Sequence, residues 1–268
     1  YLICKNRNQV YHVKQNVQAA EQQIMNDNTN KPNGHLNGHS HGEVTDLDAE
    51  REKRAPKPPQ PPKEPLLNLP PVTKILIALI VGLHFILWAI VKTTNGEMIE
   101  SLVYKFAFIP ARFSGAMPSD FWSLFTPITY AFFHGGWFHV LVNSLMLLAL
   151  GAGFEKNVGP RLTLFVFFVS SIFAAFTHFI LGPSSMSPMV GASGGISGLF
   201  GALLYIMFLR GQFGTPAMFK KAILVFIAIS VAFGFLGGPG GAAIAWAAHI
   251  GGFLCGIIII HMFRKKRL

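Results

Sequence analysis

The sequence GASGGISG at residues 191–198 places Ser193 between glycines inside a long apolar stretch. A serine hydroxyl is a weak nucleophile until a base removes its proton, and a neutral imidazole is suited to that task near pH 7. His249 lies in a second stretch of small and apolar residues, AHIGGFLCG at 248–256, and is the candidate base. Two interpretations stay open on these residues alone: a nucleophile, or glycines that allow helices to pack closely.

Further polar side chains lie within apolar stretches, where a membrane makes each of them costly and therefore a functional candidate. They are His84, His139, Asn143, His178 and Ser197, with His134 at the edge of its stretch. Counting about 1.5 Å per residue from the charged end of each helix, four side chains share one depth in the outer half of the membrane. These are Ser193, His139, Asn143 and His249. His178 reaches the same depth and His84 lies lower, so depth does not choose among the histidines.

The composition places these residues in a membrane protein. Of the 268 residues, 51% are hydrophobic and only 13% are charged, and the mean hydropathy is +0.44. Soluble domains carry about 25% charged residues. The net charge of +10 lies at the ends of apolar stretches and not on a basic face with interleaved aromatics, which argues against a nucleic-acid partner. Cys4 and Cys255 are too few for a disulfide framework or a metal cluster, and we expect no metal and no cofactor.

The apolar stretches predict six membrane-spanning helices, each near the ~20 residues that a bilayer core requires. Their predicted bounds are 73–92, 133–153, 162–181, 192–209, 221–237 and 241–262. An even number of spans leaves both termini on one side, and the loops of that side carry most of the basic residues. This asymmetry predicts that both termini are cytoplasmic. We therefore expect an all-α polytopic membrane protein whose core covers 72–263.

The core is preceded by a polar region, residues 1–71, which ends in the proline-rich stretch REKRAPKPPQPPKEP. This composition predicts a disordered cytoplasmic tail with a stiff, extended linker. We favour a solvated tail over a transition-metal site for its histidines, His35, His39 and His41. A short basic tail, 264–268, follows the core. Because the sequence begins with Tyr1 and not with Met, we allow for a segment before it.

Residues 94–132, called the connecting segment below, are aromatic and apolar but are interrupted by Pro110, Pro118 and Pro127. They are too broken to span, and we expect them to lie outside, partly in the membrane surface.

Small residues predict a close contact between the fourth and sixth spans. The small residues recur four apart, and they are Gly194, Gly198, Gly252 and Gly256. If those two faces meet, His249 comes within hydrogen-bonding reach of Ser193.

Three motifs follow one another on the second, fourth and sixth spans: HGGWFHVLVNSLMLLALGAGFEKNVG at 134–159, then GASGGISG, then AHIGGFLCG. Together they closely resemble the rhomboid family of intramembrane serine proteases, over about residues 73–262. The resemblance implies a six-helix rhomboid-like bundle that cleaves transmembrane protein substrates near the outer membrane surface. Membrane lipids are its other expected partners, and the minimal six-span core suggests a bacterial inner membrane.

The resemblance also implies a role for each motif residue. By position, Ser193 matches the nucleophile and His249 the general base, while His139 and Asn143 match the groups that stabilise the oxyanion. His134 matches a histidine at the rim that organises the site. The acidic residues after the linker are Glu97, Glu100, Asp120 and Glu155, and none lies inside a span. The sequence therefore favours a Ser-His dyad over a Ser-His-Asp triad.

Two positions depart from the family pattern. Ser197 stands four residues after Ser193, where many family members carry an aromatic residue that packs on the catalytic histidine. Trp122-Ser123 stands where a Trp-Arg pair is frequent, so the usual salt-bridge anchor of that loop is in doubt. Neither departure removes a reacting group.

Other functions compete with a protease. An inactive relative that binds membrane clients is the main alternative, although such proteins lose the serine or the histidine. A transporter or proton relay would need acidic partners or broken-helix symmetry between halves, and neither is apparent. The G-x-S-x-G elbow of α/β hydrolases is also matched, but it requires a preceding strand and a soluble domain. The substrate and the oligomeric state are not indicated.

Overall fold

The computed structural model of the chain describes residues 69–93, 97–212, 214–237 and 245–267. Within them, Leu69–Lys266 belongs to one compact unit. The predicted disordered tail, with His35, His39 and His41, falls on residues 1–68, outside the described ones, and stays a prediction.

The described residues form a helical bundle. In chain order the helices are α1 (Pro71–Thr93), α2 (Glu97–Phe106), α3 (Pro110–Ser114), α4 (Thr126–Thr129), α5 (Trp137–Met146), α6 (Ala152–Val158), α7 (Pro160–Leu181), α8 (Ser193–Leu209), α9 (Pro216–Leu236) and α10 (Trp246–Arg267). A π-helical turn, Leu147–Gly151, joins α5 and α6 into one continuous span. Two short 3₁₀ turns, Phe121–Phe125 and Tyr130–Phe132, lie in the connecting segment.

Within the described residues, five helical spans are long and apolar enough to cross a membrane: α1, the joined α5 and α6, α7, α9 and α10. The helix α8 is a shorter apolar helix. The prediction of an all-α polytopic bundle with six apolar helices is therefore confirmed. Some bounds differ from the expected ones. The predicted start of the second span, 133–136, is not helical, because Gly135 and Gly136 precede α5. The fifth span, α9, starts at Pro216 and not at the predicted residue 221. The Thr215 hydroxyl caps this helix by accepting from the N–H of Met218.

The centre of the bundle is α8, and small residues let its neighbours approach. A Cβ at Gly252 would overlap the carbonyl oxygen of Gly194, and one at Gly256 would overlap that of Gly198. The predicted glycine contact between the fourth and sixth spans, which are α8 and α10, is therefore confirmed. α7 also packs closely on α8, because a Cβ at Gly195 would lie 2.6 Å from the Ser171 hydroxyl of α7. The overlaps with backbone carbonyls show that α8 and α10 approach each other backbone to backbone.

The connecting segment folds into short helices and turns, as its prolines require. Its longest described helix, α2, has 10 residues, too few to span. Phe108 pairs with Met189 through two backbone hydrogen bonds of 2.9 and 3.0 Å, which joins the segment to the loop before α8. Several of its large apolar side chains are exposed, including Phe121, Trp122 and Leu124.

At the other end of the bundle, Glu155 joins α6 to the start of α1. Its carboxylate accepts hydrogen bonds from the backbone N–H groups of Val72 and Thr73, at 2.9 and 2.8 Å, and from the Thr73 hydroxyl at 2.9 Å. The first N–H groups of a helix have no intrahelical acceptor, so a buried helix start needs such a partner. The acidic residue is therefore used in capping a helix.

Candidate active site

Ser193 is the first residue of α8, and His249 lies in the first turn of α10. The Nε2 atom of His249 lies 2.8 Å from the Ser193 hydroxyl oxygen. When the neutral ring carries its proton on Nδ1, the hydroxyl donates to Nε2, which is the geometry of a nucleophile with its base. Both side chains are partly buried. The fold thus joins two residues that are 56 positions apart in the chain.

The loop before Ser193 is fixed by hydrogen bonds to the connecting segment and to His134, which stands three residues before α5. The N–H of Gly191 donates to the carbonyl of Tyr130 at 2.9 Å. The N–H of Ala192 donates to Nε2 of His134 at 3.4 Å. Tyr130 is fully buried, and its hydroxyl donates to the carbonyl of Ser171 at 2.8 Å. The serine is therefore presented by a loop whose backbone is held on both sides.

His134 acts on this loop from a buried position. Because its Nε2 accepts from Ala192, its proton lies on Nδ1, which donates to the carbonyl of Phe132 at 3.3 Å. Its ring lies edge-to-face on that of His139, with centroids 4.9 Å apart. The predicted organising residue thus contacts both the serine loop and a second site histidine.

His139 lies against the backbone of Gly191. A Cβ at Gly191 would stand 2.7 Å from Nε2 of His139, so the absence of a side chain makes room for the ring. Gly191 also has φ +118°, a backbone conformation that other residues rarely adopt. Position 191 therefore requires glycine for two independent reasons, the contact with His139 and the positive φ.

Asn143 follows His139 by one helical turn on α5 and is 3% exposed. Its side-chain Nδ2 donates to the carbonyl of His139 at 2.9 Å, which uses one of its two amide protons. Among the described contacts, neither Asn143 nor the His139 ring makes a hydrogen bond to Ser193. The structure brings His139 to the serine loop and keeps one Asn143 proton free of a described partner.

Carboxylates are not found beside His249 in the described part of the chain. Of the acidic side chains that the structure describes, Glu155 caps α1 and Asp120 caps the turn Phe121–Phe125. Within the described ranges, no group of three or more His, Cys, Asp or Glu side chains is arranged to hold a metal ion. The chemistry available at the site is therefore that of a serine, imidazoles, an amide and backbone N–H groups.

A family model, described as the Rhomboid domain, matches residues 118–266. The chain belongs to the rhomboid family. With its apolar helices, it is an integral membrane protein. Relatives with similar sequences include the rhomboid protease GluP of Bacillus subtilis (strain 168), 32% identical over 193 residues, which is 70% of this chain and 34% of GluP.

Two further relatives carry rhomboid names. The putative rhomboid protease YdcA of Bacillus subtilis (strain 168) is 28% identical over 153 residues, 57% of this chain and 72% of YdcA. RHOMBOID-like protein 1 of Arabidopsis thaliana is 30% identical over 145 residues, 54% of this chain and 35% of that protein. The rhomboid chain thus aligns with about a third of GluP and of the Arabidopsis protein.

The structure shows what occupies the two positions that depart from the rhomboid pattern. Ser197 is buried one turn after Ser193. Ser123, in place of the frequent arginine, forms a capping box with Asp120. Its N–H and hydroxyl donate to the Asp120 carboxylate at 2.9 and 2.8 Å, and its hydroxyl accepts from the Asp120 N–H at 3.2 Å. The loop is thus anchored by a neutral hydroxyl and a carboxylate.

Sequence reasoning missed Tyr130 and Gly191 as parts of this rhomboid site. Tyr130 supplies the carbonyl that holds Gly191, and its hydroxyl reaches α7. The available signal was positional: Tyr130 stands four residues before His134, and Gly191 two before Ser193. Neither residue carries reactive chemistry, so only the folded backbone reveals their contribution.

Proposed function

We propose that this rhomboid chain is an intramembrane serine endopeptidase that cleaves transmembrane segments near the outer membrane face through a Ser193–His249 dyad. The observation that carries the proposal is the 2.8 Å contact between the Ser193 hydroxyl and Nε2 of His249. Family membership and the names of its bacterial relatives support it. An inactive, client-binding rhomboid is the alternative, and a retained, hydrogen-bonded serine and histidine disfavour it.

In the first half of the reaction, the Ser193 oxygen attacks the carbonyl carbon of the scissile peptide bond while His249 takes the hydroxyl proton. The tetrahedral intermediate then collapses, His249 gives that proton to the leaving amine nitrogen, and an ester to Ser193 remains. In the second half, water attacks the ester carbonyl and loses a proton to His249. That proton returns to the Ser193 oxygen as the carboxylic acid product leaves.

The negative oxygen of the tetrahedral intermediate requires donors that are already in place. The backbone N–H of Ser193 belongs to the first residue of α8, where N–H groups lack an intrahelical acceptor and the helix dipole favours negative charge. We assign the other donors to a His139 ring N–H and to the second amide proton of Asn143. The close approach of His139 to Gly191 supports this assignment.

Transmembrane substrates must reach the site from the lipid, and we place their access between α5 and the outer half of α9. The inner half of α9 is held by stacked rings, Phe219 on Phe208 at 4.4 Å and Phe226 on Phe253 at 4.2 Å. Towards its other end, α9 contacts α10 through Gly234, which lies against Trp246. Because the last two residues of α9, Phe235 and Leu236, are exposed, few packing contacts hold this end, and we expect it to separate more readily.

The decisive test is covalent labelling of Ser193. The wild-type chain in mild detergent should react with a fluorophosphonate probe and cleave a synthetic transmembrane peptide, whereas Ser193→Ala should do neither. His249→Ala should lower both rates by about 10³-fold or more, because the hydroxyl loses its base. Ser197→Ala, a buried serine one turn away on α8, is the matched control and should remain active. Peptide cleavage by Ser193→Ala would overturn the proposal, and client binding without labelling of the wild-type chain would favour the inactive alternative.

A further inference from the structure

An aromatic cluster on α1 holds the first residue of α5. His84 packs edge-to-face on Trp137, with ring centroids 4.7 Å apart and an interplanar angle of 89°. Trp88, one turn further along α1, contacts the same ring at 6.0 Å. We call these three residues the Trp137 clamp. Residues four apart share one helix face, so two successive turns of α1 contact the Trp137 ring.

The start of α5 has little else to fix it locally. The residue before it, Gly136, has no side chain, and no side-chain hydrogen bond caps the helix. Uncapped first turns fray, because their N–H groups lack intrahelical acceptors. The packing of α1 on Trp137 is one of the described contacts that order this turn from outside.

The same turn carries His139, two residues after Trp137. His139 in turn lies against Gly191 and against the ring of His134. A chain of direct contacts therefore runs from His84 through Trp137 and the first turn of α5 to the serine loop. We propose that His84 is a positioning residue that, through Trp137, holds His139 in its place beside that loop. Its effect on catalysis rests on the proposed protease function.

The ring of His84, and not its nitrogen, makes this contact. The Nδ1 atom of His84 is buried, and no described residue hydrogen-bonds to it. Edge-to-face packing of two aromatic rings needs no polar atom. A phenylalanine at this position should therefore keep the clamp, while an alanine should release Trp137.

The catalytic arm compares three variants on a synthetic transmembrane peptide with a fluorophore and quencher. We expect His84→Ala to lower kcat by about tenfold with KM unchanged, because a displaced oxyanion donor acts only on the transition state. His84→Phe should restore kcat. His178→Ala, which removes another half-buried spanning histidine, on α7, should leave kcat unchanged. Wild-type kcat in His84→Ala, or a loss in His84→Phe equal to that in His84→Ala, would overturn the inference.

A second arm tests the clamp without any enzyme activity. Thermal unfolding in detergent is measured for His84→Ala, Trp137→Ala and the double variant. If the two rings stabilise each other, the shifts in Tm are less than additive. Additive shifts would overturn the clamp. Because this arm needs no catalysis, failure of the proposed function, seen as cleavage by Ser193→Ala, is distinguished from failure of the clamp.

Discussion

Gly191, a residue without functional groups, lies in contact with two parts of the candidate site. Its backbone has φ +118°, its N–H is held by Tyr130, and its Cα faces the ring of His139. A side chain here would face two penalties, backbone strain and overlap with the imidazole. The close approach of the proposed oxyanion donor, His139, to the serine loop therefore depends on the absence of a Cβ at Gly191.

Gly191→Ala tests this role directly. The added Cβ would lie 2.7 Å from Nε2 of His139, so the ring or the loop must move. We expect fluorophosphonate labelling of Ser193 to slow by about tenfold or more, since preorganised donors are lost. Gly135→Ala is the control, because a Cβ there has no atom within 4 Å. Equal labelling rates for the two variants would show that Gly191 does not position the site.

Asp120 provides a prediction about pH. The hydrogen bond from the Ser123 hydroxyl, helped by the Ser123 N–H, holds the pKa of Asp120 below its ordinary value of 3.8. A carboxyl with a lowered pKa stabilises the fold above its ordinary pKa, and this stabilisation is lost as pH falls through the lowered value. Asp120→Ala should therefore lower Tm at neutral pH. The difference from wild type should shrink as the pH falls below 3.8.

The exposed neighbour Ser119 supplies the control for Asp120. Ser119→Ala should match wild type across the pH range, because Ser119 takes no part in the capping box. A Tm difference between wild type and Asp120→Ala that stays constant down to acidic pH would contradict the account. In that case the aspartate would stabilise the turn by something other than its charge.

At the scale of elements, Glu155 ties the first helix to the end of the second span. The carboxylate offers two oxygens to three donors at the start of α1, and it is 3% exposed. Glu155→Gln replaces one oxygen by an NH₂ group that faces backbone N–H donors. We expect the free energy of unfolding to fall by about 2 kcal/mol, since a buried donor is left unpaired. Thermal unfolding in detergent measures this change.

Lys156→Gln is the control for that substitution, because Lys156 is exposed beside Glu155. It should change Tm little. If Glu155→Gln unfolded at the wild-type temperature, the hydrogen bonds to Val72 and Thr73 would contribute nothing net. The junction of α1 and α6 would then depend on apolar packing alone.

The sequence predicted the helices better than it predicted the contacts between them. Apolar length alone indicates six helices, and the small residues of α8 and α10 indicate their close approach. In contrast, the contact of Tyr130 with Gly191 and the capping of Thr73 by Glu155 join residues about 60 and 82 positions apart. Such pairs follow from how the helices pack, which no local pattern records. Ser123 illustrates the limit, since the sequence put the family's usual salt-bridge anchor in doubt but did not predict the capping box with Asp120.

The length of α8 bears on the whole molecule. Its 17 residues rise about 26 Å, less than the ~30 Å hydrocarbon core of a bilayer. If its last residue lies at one membrane surface, Ser193 lies below the other. This arrangement agrees with cleavage near one membrane face.

Which face that is depends on the orientation of the bundle. Basic side chains mark the end of the bundle opposite Ser193, and they are Lys74, Lys156, Arg161, Arg210, Lys220, Lys221 and Arg264. By the positive-inside rule, we expect that end to face the cytoplasm. We therefore predict that a membrane-impermeant maleimide labels Ser119→Cys in intact cells but labels Lys156→Cys only after the membrane is opened. Both variants are made in a background with Cys4→Ser and Cys255→Ala.

Ser119 and Lys156 are both exposed, so neither variant removes a described contact of the candidate site. A difference in labelling therefore reports which side of the membrane each residue faces. The background chain with Cys4→Ser and Cys255→Ala, but with no added cysteine, is the control for labelling at other groups. If Lys156→Cys were labelled in intact cells while Ser119→Cys was protected, the bundle would have the opposite orientation in the membrane. Ser193 would then lie nearer the cytoplasmic face, and cleavage would release fragments on the opposite side from the one proposed. The orientation of the basic end therefore decides on which side of the membrane the products appear.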